Sequence, residues 1–287
     1  MEIFVQLLIN GIIAAAIYSL IAVSFNLNFG VTKFFNLAHA SFAGIGAYTV
    51  FYLLKWHDFN TALAIIIGIF FAGFVGYLSD KFVFLPLRKK KASNMILLVA
   101  SLGVWAVIES VLAILFSNQF QTIRNNTKAL ALYHLGPGVI TFTQVVMIFI
   151  SVLVIIGLLL LFKFTQFGKA IKAIGDDEEV AKIVGIDTDK IIGYTFFLGT
   201  AIAGLGGILI GFESGVEPTW LATLLKGIIA AMIGGLGTIT GGALGSLLLG
   251  LVENFGIWKV SGEWKDAIAF ALLIVFLIFR PRGMIKR

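Results

Sequence analysis

The stretch 226–253, KGIIAAMIGGLGTITGGALGSLLLGLVE, carries no charge between Lys226 and Glu253, and glycine recurs through its middle. With the following residues to 256 it forms an apolar run of roughly 30 residues, where about 20 suffice to cross the hydrocarbon as helix. Gly234, Gly235, Gly237, Gly241 and Gly242 crowd its centre. A single helix gains nothing from flexible backbone there. Two helical arms meeting at the glycines use both the length and the composition. Which of these is right depends on the side of the membrane at which the run begins and ends.

The rest of the chain is equally apolar. Of 287 residues, 59% are hydrophobic and 13% charged, about half the charge of a soluble domain. Further apolar runs fall at roughly 3–29, 38–54, 60–79, 94–116, 139–162, 191–212 and 264–280, each near span length. This predicts an all-α, polytopic helical membrane protein with about eight hydrophobic segments in a single domain over 1–287. The opening MEIFVQLLIN lacks a basic leader region, so 3–29 reads as a retained span. There are no cysteines, which removes disulfides, thiolate metal sites and cysteine nucleophiles. No metal or cofactor set is expected. The net charge of +6 bears on membrane orientation and not on nucleic acid.

Lysine and arginine favour cytoplasmic loops. Placing 30–37, 80–91, 163–190 and 280–287 inside puts 15 of the 21 cations there. The carboxyl terminus is then cytoplasmic and, by counting back, the amino terminus extracytoplasmic. With 163–190 inside, 191–212 runs outward, and the last span must return inward. The run 226–256 therefore starts and finishes outside, which predicts a re-entrant or broken hairpin. Irregular backbone at that depth needs protein or a watery cavity around it.

The charged stretch 167–190, FGKAIKAIGDDEEVAKIVGIDTDK, stands out against this background. Ala170, Ile171 and Ile174 share one side of a short helix after Gly168, and Gly175 ends it. Asp176 starts a second helix with Glu179 as its capping-box partner. Val180, Ile183 and Val184, with Ala181 beside them, form an apolar stripe that Gly185 terminates. Thr188 or Asp187 caps the next span. The acidic second half suits a soluble partner better than an anionic lipid surface.

The string FTQFGKAIKAIGDDEEVAKIVGIDTDKIIGYTFFLGTAIAGLGGIL resembles the coupling loop and following span of branched-chain amino acid ABC importer permeases, the LivH/LivM family. Glu179, Val180, Ala181 and Gly185 are similar to the family's Glu-Ala-Ala…Gly motif, with Val180 replacing its middle residue and a downstream Leu-Pro absent. FFNLAHASFAGIGAY (34–48), the glycine hairpin at 226–253 and FRPRGMI near the end also resemble family blocks, in order along nearly the whole chain. The short amino terminus looks like the LivH-type subunit. The resemblance implies an ABC importer permease fold, with ABC ATP-binding subunits docking on coupling helices at about 167–185. It also implies a second permease subunit, either homologous or a second copy, and an extracytoplasmic substrate-binding protein. The implied substrate is a branched-chain or related amino acid, carried across the cytoplasmic membrane.

Polar groups inside spans are the candidate pathway residues. Asn36 and His39 flank Ala38 near the inner end of the second span, as a pathway lining or as a packing network. Glu109, in SLGVWAVIESVLAILF, is the carboxylate that falls deep within a predicted span. It could meet a substrate ammonium or bond a neighbouring helix. The small-residue ladders Gly199, Ala203, Gly207, Gly211 and Gly237, Gly241, Gly245 suit close helix packing. No catalytic residues are expected. The chain contains no GxxxxGK[ST] phosphate loop and no H-E-x-x-H, and Ser41 and His39 point apart on a helix. The competing reading is a secondary transporter of small polar solutes, with Glu109 as its coupling group.

Overall fold

The computed structural model describes residues 2–123, 132–217, 221–258, 260–280 and 283–285. The chain runs through α1 (Glu2–Thr32), α2 (His39–Trp56), α3 (Thr61–Ser79), a π-helical stretch (Asp80–Phe84), α4 (Leu85–Lys89) and α5 (Asn94–Phe116). A short hairpin follows, β1 (Leu132–Leu135) and β2 (Gly138–Thr141), then α6 (Phe142–Phe164), α7 (Gln166–Asp176), α8 (Glu178–Ile183) and α9 (Thr188–Ser214). The last elements are α10 (Leu221–Gly234), α11 (Ile239–Gly256) and α12 (Lys265–Phe279). Among the described residues, six helices are long and apolar enough to cross a membrane: α1, Thr61–Lys89, α5, α6, α9 and α11. The expected count of about eight is not reached on that measure. α12 has only 15 residues, and α2, at 18, carries His39 and Lys55 along with glycine, serine and tyrosine.

α1 is the central post. From its middle onward nearly every residue is buried, because α9, α10 and α11 pack around it. Small residues allow the close approaches. A side chain at Gly46 would collide with the backbone of Gly204, one at Gly207 with the backbone of Ala43, and one at Gly250 with Gly11 and Ala15. Gly199 and Gly207 of the first predicted ladder and Gly241 and Gly245 of the second sit at such helix contacts, where van der Waals packing holds helices together in lipid, whereas Gly237 falls in the turn between α10 and α11.

The run 226–256 is broken, as the parity argument requires. α10 ends at Gly234, α11 begins at Ile239, and Gly235 (φ 121°) and Gly237 (φ 78°) take the left-handed backbone that joins them. A side chain at Gly234 or Gly241 would strike the backbone of the other. Asn26 of α1 clamps the turn: its amide donates to the carbonyls of Gly235 (3.2 Å) and Thr238 (2.8 Å) and accepts from Gly237 N (3.0 Å). The amides of Met284 and Ile285 close it from the other side, donating to Ile233 O and Gly234 O at 3.0 Å each. Gly250 lies against Gly11 and the turn lies against Asn26, so α11 runs antiparallel to α1. The hairpin thus opens toward the start of α1, and its tip approaches the end. Its arms are unequal, about 21 Å and 27 Å at 1.5 Å per residue. The second arm comes close to a full span, longer than the half-helix expected.

Near the start of α1, Gln6 holds the β-hairpin by donating to Val139 O (3.2 Å) and accepting from Val139 N (2.8 Å). These two strands are a small addition to the expected all-helical content. They also delay the span predicted from 139, which begins at Phe142 behind a capping box of Thr141 and Gln144.

Candidate functional site

The charged segment 166–185 begins with a sharp turn from α6 into α7. Thr165 caps α7 by accepting from Gly168 N at 3.0 Å, and a side chain at Gly168 would collide with the backbone of Leu161 and Phe162. α7 continues through Gly175 to Asp176, one residue beyond the expected stop. The predicted cap at Asp176 is therefore displaced to Asp177, whose Oδ1 accepts from Glu179 N (2.9 Å) and Val180 N (3.0 Å). Gly175 stays helical and is buried against the protein. Glu179 is exposed and supplies its amide to this cap, not the side chain of a capping box.

α8 ends where the sequence predicts. Gly185 (φ 89°) donates to Lys182 O and Ile186 N donates to Ala181 O, each at 3.0 Å, which is a Schellman closure. Of the two alternatives for the next cap, Asp187 takes the role and accepts from Lys190 N at 3.2 Å. The hydrogen bond from the Lys190 side chain holds the Asp187 carboxyl below its ordinary range.

The two apolar stripes have different surroundings. Ile171 and Ile174 are each 2% exposed and belong to the chain's main core with Ala181, while Ala170 is half-buried. Val180, Ile183 and Val184 are 54%, 82% and 69% exposed. α7 is thus anchored in the protein, and α8 projects an uncovered aliphatic tip.

Ser24 and Asn28 of the first span and His39 of the second form an internal cluster. His39 is fully buried, with Nε2 2.8 Å from Ser24 Oγ, Nδ1 3.3 Å from Asn28 Nδ2, and its ring edge-on to Phe25. The Asn28 side chain fits against Gly199 of α9. Asn36 is buried beside this cluster in sequence, and neither of its side-chain polar atoms has a hydrogen-bond partner among the described residues. These groups lie between helices of one chain, away from its surface. Glu109 is half-buried on α5, a helix with few buried residues, and has no ion pair or hydrogen bond among the described residues.

Two buried carboxylates escaped sequence reasoning, which singled out Glu109 alone. Glu253 accepts from Tyr18 (2.6 Å) and pairs with Lys226, which also pairs with Asp266 at 2.8 Å. This ties α1, α10, α11 and α12 together at the open end of the hairpin. The available signal was the pair of charges that bracket the apolar run, since a run returning to one face brings its ends together. Asp80 pairs with Arg88 at 3.0 Å across the π-helical stretch. Both carboxylates have a cationic partner, as burial demands.

The sequence profile of the family described as branched-chain amino acid transport system / permease component matches residues 7–277. The chain is 30% identical to the high-affinity branched-chain amino acid transport system permease protein BraD of Pseudomonas aeruginosa, covering 99% of this chain and 96% of that one. It is 28% identical to the LivH permease protein of the corresponding system in Escherichia coli K12, with the same coverage. In fold it is similar to PsaBC from Streptococcus pneumoniae, with a TM-score of 0.51 at 13% identity over 98% of this chain and 93% of that one. With the broken hairpin, the capped α7–α8 pair and matches along its whole length, the chain belongs to the branched-chain amino acid transport permease family.

Proposed function

We propose that this protein is the LivH-type permease subunit of an ABC importer, carrying branched-chain or closely related amino acids inward. It acts as one permease domain over 1–287 in the cytoplasmic membrane, with the carboxyl terminus inside and the amino terminus outside. Separate ATP-binding subunits hydrolyse ATP and dock on α8. A second permease chain completes the pathway, and an extracytoplasmic binding protein delivers substrate. The observation that carries this reading is the uncovered tip of Val180, Ile183 and Val184 on a helix capped at both ends and fixed to the core through α7. A rigid helix pair with an aliphatic tip transmits a push from a soluble partner into the spans.

In this reading Asn36 and His39 brace α1 against α2, and Glu109 faces the pathway shared with the second permease. An unpaired carboxylate cannot rest against lipid tails without large cost. The test is co-purification of the tagged protein from mild detergent, with mass spectrometry of what is retained. ATP-binding subunits recovered with the parent chain and lost from Ile183→Glu support the reading. Their retention by that variant, with normal uptake, reduces α8 to a connector. Glu109→Gln is expected to keep the subunits bound while slowing uptake at least tenfold; unchanged uptake would remove Glu109 from the pathway.

A further inference from the structure

α7 and the start of α9 enclose a cleft of about 680 Å³ that no step of the transport reading uses. Gln166 and Phe167 enter it directly after α6 ends, and Ile191 and Tyr194 enter it from the first turns of α9. The cleft therefore opens where two spans leave the apolar layer, at headgroup depth. Its lining combines apolar Phe167, Ala170 and Ile191 with the side chains of Lys169 and Lys190 and the carboxylate of Asp187. Lys190 is paired with Asp187 at 2.8 Å, whereas Lys169 has no ion-pair partner among the described residues. Lys163 and Lys172 add positive charge nearby, each over a phenylalanine ring of α6 at 5.3 Å and 5.8 Å. The carboxylates of 177–179 lie past the far end of α7, and the one carboxylate in the lining, Asp187, is taken up by Lys190, so Lys169 with Lys163 and Lys172 leaves the cleft end of α7 net positive.

We propose that this cleft seats an anionic phospholipid of the cytoplasmic leaflet, its phosphate at Lys169 and Lys190 and an acyl chain along Phe167, Ala170 and Ile191. Basic pockets between spans on the cytoplasmic side recognise such headgroups, and the apolar wall continues into the bilayer. A soluble partner is already offered the tip of α8; the cleft lies nearer the lipid. The leaflet assignment rests on the orientation proposed above, but lipid binding is read without any ATP-binding subunit, so the two proposals fail separately.

The experiment is native mass spectrometry of the full, delipidated chain titrated with dioleoylphosphatidylglycerol or dioleoylphosphatidylcholine. The anionic lipid is expected to bind more tightly. Lys169→Ala and Lys190→Ala should each weaken it about fivefold, and the double variant about thirtyfold. Lys169→Arg should restore binding, which separates loss of the contact from loss of the fold. Ala170→Trp narrows the cleft without changing charge and should also weaken binding. The Lys81→Ala/Lys90→Ala control, on exposed lysines elsewhere on the same face, should not. Parent-like affinity in the double variant, an equal loss in the control, or no effect of Ala170→Trp would each overturn the seat. Displacement of the lipid by millimolar inorganic phosphate would assign the lysines to a free anion. Protection of Tyr194→Cys from a thiol reagent by co-purified protein alone, and not by phosphatidylglycerol, would give the cleft to a protein partner.

Discussion

α7 and α8 are consecutive short helices with a similar amphipathic pattern, branched aliphatics on one side and charges on the other. Their surroundings differ completely. α7 buries Ile171 and Ile174 among α1, α6 and α9, whereas α8 buries only Ala181 and leaves Val180, Ile183 and Val184 uncovered. Their charges differ as well, since α7 carries Lys169 and Lys172 and α8 opens on Asp177, Glu178 and Glu179. An amphipathic stripe reports that a surface will be covered. It does not report by what. For α7 the cover is the protein's own spans; for α8 the described residues provide none, and the proposed function assigns that place to a partner subunit.

The contrast is most easily broken at α7. Ile174→Asp places an unpaired carboxylate in the core and removes a buried aliphatic side chain, at a combined cost of more than about 4 kcal/mol. Loss of the monodisperse peak in size-exclusion chromatography is expected, and a well-folded variant would mean that α7 is not anchored as described. The next largest effect falls on function alone. Ile183→Glu should leave thermal stability within about 0.5 kcal/mol of the parent, because the position is exposed, while uptake falls at least tenfold.

Smaller effects sharpen the comparison at the helix ends. Gly185→Ala forces a β-carbon into left-handed backbone and should destabilise the α8 closure by ~1 kcal/mol. Faster hydrogen exchange confined to 178–186 would show it. The smallest concerns Asp187. Its folded pKa is depressed by Lys190, so its contribution is present above the ordinary carboxylate pKa and is lost as pH falls through the folded value. The difference in melting temperature between the parent and Asp187→Asn should therefore stay constant from pH 8 to 5 and close below about pH 4.

Much of this was legible in the sequence because the physics is local. Apolar length marks the spans, glycine with positive φ marks Gly185 and the turn at Gly235 and Gly237, and cation placement with parity requires the run 226–256 to turn back. The errors are also local in origin. Gly175 and Asp176 read as a stop and a start, but α7 runs one residue further, with Gly175 buried against the protein, and the cap falls at Asp177. The pair Glu253–Lys226 was within reach of the parity argument, which brings the two ends of the run together, but the burial that makes it and Asp80–Arg88 matter is set by the neighbouring helices and not by local pattern.

By itself the sequence determined that the chain spans a membrane through helices, that its longest apolar run doubles back, and that a capped charged segment interrupts the spans. These follow from hydrophobic length, backbone freedom and capping, which act over a few residues. Only the tertiary structure decided which stripe is covered, that Asn26 and residues 284–285 grip the hairpin turn, and that His39 lies inside an interhelical cluster. Those outcomes depend on which helices come to touch, and contacts between residues distant in sequence are set by the packing of the whole chain.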